Sequence, residues 1–154
     1  MENLQVVDTP DVLYVGGAGK SQKVKQLLEA VKKEQPLLAQ AHKFEDRPWG
    51  NYRSLHESED CKVKVIEVDG GQQLSYQSHK RRSEIWVVVC GAGEVVLNDE
   101  VRAVNKGSII EIPQGMKHRV RNTGQAPLRF IEVQTGTYFG EDDIIRYQDD
   151  YNRQ

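Results

Sequence analysis

Four side chains have the types and spacing to hold a divalent cation: Gln77, His79, Glu84 and His118. Residues two apart on a β-strand project to the same face, so a strand through Gln77 and His79 sets an amide oxygen and an imidazole on one wall. The polar turn Lys80-Arg81-Arg82-Ser83 lets the chain return with Glu84 beside that wall. His118 arrives after Pro113 and Gly115, which shape a loop leading into another strand. One amide, two imidazoles and a carboxylate form a mixed nitrogen and oxygen set with positions left for water or substrate. Zinc suits such a set; manganese, cobalt, nickel or iron also fit. The competing reading makes His79 and His118 ordinary polar residues and pairs Glu84 with Arg81 or Arg82.

These residues require strands to position them, and the sequence from Arg47 onward supplies them. Short β-rich runs cover Lys62 to Val68, Glu84 to Cys90, Glu94 to Leu97, Ser108 to Ile112 and Leu128 to Gln134. Gly70-Gly71, Gly91-Ala92-Gly93, Asn98-Asp99, Asn105-Lys106-Gly107 and Asn122-Thr123-Gly124 punctuate them. Strands that recur without helices between them predict an all-β sandwich or barrel. Residues 1–46 differ in texture. A helix is expected from Ser21 to Lys33, with Val24, Leu27, Leu28 and Val31 along one face. Pro36 is expected to end it, and Leu37, Leu38 and Ala39 to pack an arm onto the main body. Gly16, Gly17 and Gly19 lack the spacing to Lys20-Ser21 that a phosphate-binding P-loop needs. The organisation read from the sequence is therefore an N-terminal arm, 1–46, and a β-domain, 47–154.

The composition narrows the partner. The 154 residues carry 21 Lys and Arg against 23 Asp and Glu, a formal charge of −2. No global basic field points to nucleic acid, so a small polar ligand is expected. Cys61 and Cys90 form no close metal or redox pair and are expected to be reduced. With neither an export signal nor an apolar stretch of membrane-spanning length, a soluble cytoplasmic protein is expected.

Two spaced motifs carry a resemblance. Gly71, Gln77, His79, Glu84 and Gly91 fit G-x5-(H)-x-H-x4-E-x6-G, with Gln77 in place of the first histidine. Gly107, Pro113, Gly115, His118 and Asn122 fit G-x5-P-x-G-x2-H-x3-N. Together they resemble the cupin pattern, which implies a jelly-roll β-barrel preceded here by a short helical arm. The segments Arg47-Pro48-Trp49-Gly50-Asn51-Tyr52 and Leu74 to His79, the run Arg82 to Val89, and the C-terminal run Ile131 to Arg146 with Asp150-Tyr151-Asn152-Arg153 resemble type II phosphomannose isomerases.

That resemblance implies the interconversion of mannose 6-phosphate and fructose 6-phosphate at a metal held by Gln77, His79, Glu84 and His118. Arg82 matches a motif arginine and is expected to orient substrate or steady an enediolate; otherwise it is a solvated turn charge. Glu141 and Asp142, in the cluster Glu141-Asp142-Asp143 with Arg146, are expected to supply an acid or base over the barrel mouth, or else to face solvent. Phosphate needs a cationic clamp, for which Lys80, Arg81, Arg119 and Arg121 are available. Trp49 and Trp86 are read as packing residues rather than sugar platforms. A homodimer is expected, with the arm or the Val87 to Val89 strand as contacts.

Asp8 to Leu13 and the helix after it resemble the tail of a mannose-1-phosphate guanylyltransferase, whose nucleotide-binding start this sequence lacks, so no GDP-mannose synthesis is expected from it. The family usually has a histidine-rich stretch and a Glu-His-Trp triplet where this sequence has Lys80-Arg81 and Glu84-Ile85-Trp86. That departure favours a second reading, a non-catalytic cupin that binds a sugar phosphate or nucleotide sugar. A cupin dioxygenase is a third, and it would require iron.

Overall fold

The structure, a computed structural model, describes residues 3–8, 12–20, 22–34 and 44–151. The chain divides into two compact units, Met1–Phe44 and Glu45–Gln154. In the first unit, β1 (Leu4–Asp8) pairs antiparallel with β2 (Leu13–Gly17), and α1 (Lys23–Glu34) follows. The hairpin was not expected from the sequence. Both strands read as too short and too interrupted by Pro10 and the glycines to register as a β-run. Helix α1 buries no residue, and Val24, Leu27 and Leu28 are exposed. Pro36 and Leu37 to Ala39 lie outside the described residues.

The second unit holds the remaining strands: β3 (Phe44–Arg47), β4 (Gly50–Glu57), β5 (Cys61–Val68), β6 (Tyr76–His79), β7 (Arg82–Cys90), β8 (Ala92–Leu97), β9 (Glu100–Asn105), β10 (Ile109–Ile112), β11 (His118–Arg121), β12 (Leu128–Gly136) and β13 (Ile144–Gln148), with a short 3-10 turn, η1 (Glu141–Asp143), before the last. They form a six-stranded sheet in the order β10-β7-β12-β5-β4-β3 and a five-stranded sheet in the order β13-β6-β11-β8-β9. The expected all-β jelly roll is the observed architecture.

Alternation along the strands fills the interior. Val68, Val88, Leu128 and Phe130 from the larger sheet join Val95, Leu97, Val104 and Val120 from the smaller in one apolar cluster with Trp49, Tyr52, Trp86, Ile110 and Ile112. Each fully buried aliphatic or aromatic side chain contributes about 1.5–3 kcal/mol of transfer free energy. Gly50, at φ 138°, opens β4 where a Cβ would collide with the Glu67 carbonyl of the neighbouring strand.

Further along the same strands the inward positions become polar. On β12 the buried series is Leu128, Phe130, Glu132, Gln134; on β7 it is Arg82, Glu84, Trp86, Val88; on β5 it is Lys64, Ile66, Val68. The register places Glu132 opposite both Lys64 and Trp86, and Gln134 opposite Glu84. One end of the interior is thus hydrocarbon and the other is a buried polar cluster.

Candidate metal centre and pocket

His79 ends β6 and Glu84 lies near the start of β7, across the turn at Lys80 and Arg81. That turn is pinned from outside. The buried carboxylate of Asp143 accepts the Lys80 and Arg81 backbone N–H groups at 3.2 and 3.3 Å, and the His79 carbonyl accepts the Gly115 N–H at 2.8 Å. His118 opens β11, where its backbone pairs with Gln77 on one side and Leu97 on the other. One turn and one strand ladder therefore deliver three side chains to one point.

There, His79 Nε2 lies 3.0 Å from Glu84 Oε1 and His118 Nε2 lies 3.5 Å from Glu84 Oε2. One ligand atom from each residue falls within 4.8 Å of the others, and all three residues are almost wholly buried. Yet neither Nε2 has a hydrogen-bond partner of acceptable geometry. Buried polar atoms are nearly always satisfied, so orphaned nitrogens aimed at a shared carboxylate fit a cation held among them. The tautomer agrees. His118 Nδ1 is 2.9 Å from the Met116 carbonyl, an acceptor only, so Nδ1 carries the proton and Nε2 the lone pair. Burial pushes the His118 imidazole below its ordinary pKa, which keeps that lone pair free. These residues fit a divalent metal in donor type, burial and orientation.

The carboxylate is itself held. Trp86 Nε1 donates to Glu84 Oε2 at 3.1 Å and lies 3.2 Å from Glu132 Oε2; Gln134 Nε2 donates to Glu84 Oε1 at 3.1 Å and Glu132 Oε1 at 2.8 Å. Two donors thus bridge two buried carboxylates. Burial alone would raise the pKa of Glu84, but the close approach of His79, His118 and Arg82 outweighs it and holds Glu84 well below the carboxylate range. Glu132 goes the other way: burial, then the Glu84 charge, push it up to about 8 despite Lys64 nearby. Glu84 is the ionised member of the pair and Glu132 the protonated one.

A pocket of about 60 Å³ adjoins this cluster, lined by Gln77, Arg82, Glu84, Glu132, Gln134, Lys64, Trp49, Tyr52, Arg47, Glu141 and Arg146 among others. Gln77 is on its wall with its amide oxygen accepting the Ser75 hydroxyl at 2.8 Å. Arg82 is buried rather than a solvated turn charge; its Nη1 donates to the Gly140 carbonyl at 3.0 Å and its Nε is 3.5 Å from Glu84. Glu141 reaches the rim of the pocket. Asp142 does not: it is exposed and accepts the Tyr138 hydroxyl at 2.6 Å.

The expected clamp of Lys80, Arg81, Arg119 and Arg121 is not brought to the pocket. Lys80 and Arg81 sit exposed on the turn, Arg81 over the Tyr138 ring at 5.3 Å. Arg119 and Arg121 alternate with His118 and Val120 along β11, so they project to the opposite face, where Arg119 donates to the Gln148 carbonyl and Arg121 to Gln73. Basic residues from other strands, Arg47, Lys64 and Arg146, line the pocket instead. Trp86 packs edge-on to His118 at 5.4 Å and against Phe130 at 4.8 Å, whereas Trp49, also buried, lines the pocket and leaves its Nε1 without a hydrogen-bond partner. Ile85 is on the outer face of its sheet, away from the buried Glu84 and Trp86 that flank it.

Comparison with known sequences decides the family. Residues 31–149 match the family described as mannose-6-phosphate isomerase C-terminal. The chain belongs to this family. Its sequence is 42% identical over 153 residues to the xanthan biosynthesis protein XanB of Xanthomonas campestris pv. campestris, 40% to the alginate biosynthesis protein AlgA of Pseudomonas putida and 39% to the mannose-1-phosphate guanylyltransferase ManC of Salmonella typhimurium. Each match covers 99% of this chain but only 32–33% of the relative, so this family member spans about a third of the length of those proteins. Among solved structures it resembles oxalate decarboxylase from Bacillus subtilis, with a TM-score of 0.60 and 18% identity over 71% of this chain and 30% of that one. It also resembles a double-stranded β-helix protein from Klebsiella pneumoniae, with a TM-score of 0.57 and 23% identity over 63% of this chain and 83% of that one. These similarities establish the barrel fold. Among the described residues, no helix is long and apolar enough to cross a membrane.

Proposed function

We propose that this mannose-6-phosphate isomerase family member interconverts mannose 6-phosphate and fructose 6-phosphate at a divalent cation held by His79, Glu84 and His118, with Gln77 as a further ligand. The observation that carries the reading is the convergence of two orphaned Nε2 atoms on the Glu84 carboxylate beside a polar pocket. A bound divalent ion, zinc first and manganese, cobalt, nickel or iron as alternatives, supplies Lewis-acid stabilisation of the negative charge that develops during an aldose to ketose exchange.

The chain's own residues do the rest. Trp86 and Gln134 fix Glu84 in its ligating orientation through the hydrogen bonds they donate to it. Arg82 is anchored through Gly140, and its buried Nε, 3.5 Å from Glu84 and without a hydrogen-bond partner, is the preorganised charge assigned to the developing oxyanion. Glu141 is the carboxylate at the rim that moves the proton between C2 and C1, a role worth about 10²–10⁴-fold. Asp142, committed to Tyr138, is set aside.

The substituted histidines had favoured a non-catalytic binding module. The outward position of Ile85 and the exposure of Lys80 and Arg81 support turnover instead, because those substitutions leave the pocket wall unchanged. The test is direct. Purified chain loaded in turn with zinc, manganese, cobalt, nickel and iron is incubated with mannose 6-phosphate. Fructose 6-phosphate is expected with at least one metal and is abolished by a chelator. Tight binding of mannose 6-phosphate without product under every loading would establish the binding module instead.

A further inference from the structure

The buried donors of the pocket outnumber its free acceptors. Trp49 Nε1, Arg82 Nε and Arg146 Nε are buried without a hydrogen-bond partner, and all three residues line this one pocket. Beside them, the Lys64 side chain is 9% exposed, and the nearest carboxyl oxygen, Glu132 Oε1, is 3.8 Å away, beyond hydrogen-bond reach. A buried ammonium without a close anionic partner is costly, and orphaned N–H groups in one pocket call for a ligand rich in acceptor oxygens.

Position within the pocket separates the roles of these donors. Glu84 lines one side of the pocket with the two imidazoles against its carboxylate. From Glu84 the polar chain runs through Gln134 and Trp86 to Glu132, then to Lys64. Lys64 Nζ lies 4.8 Å from the centre of the Tyr52 ring, and Arg47 Cζ lies 5.5 Å from that same centre. Both cations therefore lie against the Tyr52 ring, at the far end of the polar chain from Glu84, and Trp49, in the turn between β3 and β4, lines the same pocket.

The geometry points to Lys64 and Arg47, with Trp49 Nε1, as the seat of the substrate's terminal phosphate. This deepens the isomerase reading and rests on it for the identity of the substrate. In a hexose 6-phosphate the reacting carbons, C1 and C2, and the phosphate on O6 are at opposite ends of the carbon chain. A site that acts on both must separate its ligand cluster from its anion seat, and this pocket does. Arg47 has Glu45 as its present partner at 2.6 Å, half-exposed and able to yield it to a dianion.

The test reads binding on the metal-free chain, where no turnover occurs, so that failure of the isomerase reading leaves it intact. Inorganic phosphate, mannose 6-phosphate and mannose are titrated by calorimetry, and the Lys64 side-chain ammonium resonance is followed by NMR in the unmutated protein. Phosphate and mannose 6-phosphate are expected to compete with each other and to shift that resonance, while mannose leaves it in place. Lys64→Met and the partly exposed Arg47→Gln are each expected to weaken mannose 6-phosphate about 10–100-fold, the range for losing a charge-assisted hydrogen bond. Arg121→Ala, on the opposite face of β11, is expected to change it less than about twofold. An ammonium resonance unmoved at phosphate saturation, or a loss of affinity from Arg121→Ala equal to that from Arg47→Gln, would overturn the assignment.

Discussion

The two ends of the barrel interior are built from the same strands and are buried to the same degree, yet they hold opposite contents. At one end Val68, Val88, Leu128 and Phe130 join Val95, Val104 and Val120 in one apolar cluster. At the other, two to four residues away on the same strands, Lys64, Arg82, Glu84, Glu132 and Gln134 form a buried polar cluster with His79 and His118. The apolar end is complete in itself, because dispersion and water exclusion need no outside partner. The polar end is not: its hydrogen bonds satisfy the carboxylates but leave imidazole, guanidinium and indole nitrogens orphaned. Burial stabilises the first end and prepares the second for ligands.

Substitutions separate the two ends, and the largest effect is expected where the ligands converge. Glu84→Gln should lower isomerase turnover by about 10³-fold or more, because it removes the anionic ligand while leaving the shape of the core nearly intact. Its urea midpoint in the metal-free state should stay within reach of the parent. Phe130→Ala should do the reverse. A cost of about 3–5 kcal/mol in urea unfolding is expected from the cavity beside Trp86, with the folded fraction retaining its metal.

A smaller effect distinguishes the two ends through pH. The proton affinity of Glu132 is higher in the folded chain than in the unfolded one, by burial first and the Glu84 charge second. The folded state therefore holds the extra proton between the ordinary carboxylate range and about pH 8. Its contribution is fully present below the unfolded value and is lost as pH rises through about 8. In the metal-free protein, stability should fall across that window, and Glu132→Gln should flatten the profile, as denaturant melts at successive pH values would show. The smallest change is predicted on the surface: Arg129→Ala, which breaks an exposed pair with Glu67, should cost no more than about 1 kcal/mol and alter no kinetic constant.

The same contrast explains what could be read from the sequence. The apolar strands β5, β7, β8, β10 and β12 announce themselves as β-branched runs, and the spacing of His79, Glu84 and His118 marks the ligand set. Lys64, Glu132 and Gln134 gave no such signal. In Ile131-Glu132-Val133-Gln134 the apolar residues are half-exposed and the polar ones are buried, the reverse of what amphipathic alternation suggests. Strand β7 does the same with Glu84 buried and Ile85 exposed. Strand β4 is dominated by polar and charged residues, and β9 and β13 are short runs interrupted by arginine, so only pairing with a neighbour defines them. Lys80, Arg81, Arg119 and Arg121 are near the ligand histidines in sequence, but strand alternation turns Arg119 and Arg121 to the other face, and the basic residues Arg47 and Lys64 that line the pocket come from strands distant along the chain. Asp143, adjacent to the residues singled out, is the carboxylate that holds the ligand turn in place.

Metal stoichiometry measured on the purified chain and on His118→Ala tests the central claim most directly. The account predicts one divalent ion per chain after loading and dialysis, and none retained once the His118 imidazole is removed. An unmutated chain that holds no ion, or a His118→Ala chain that still retains one, would contradict it.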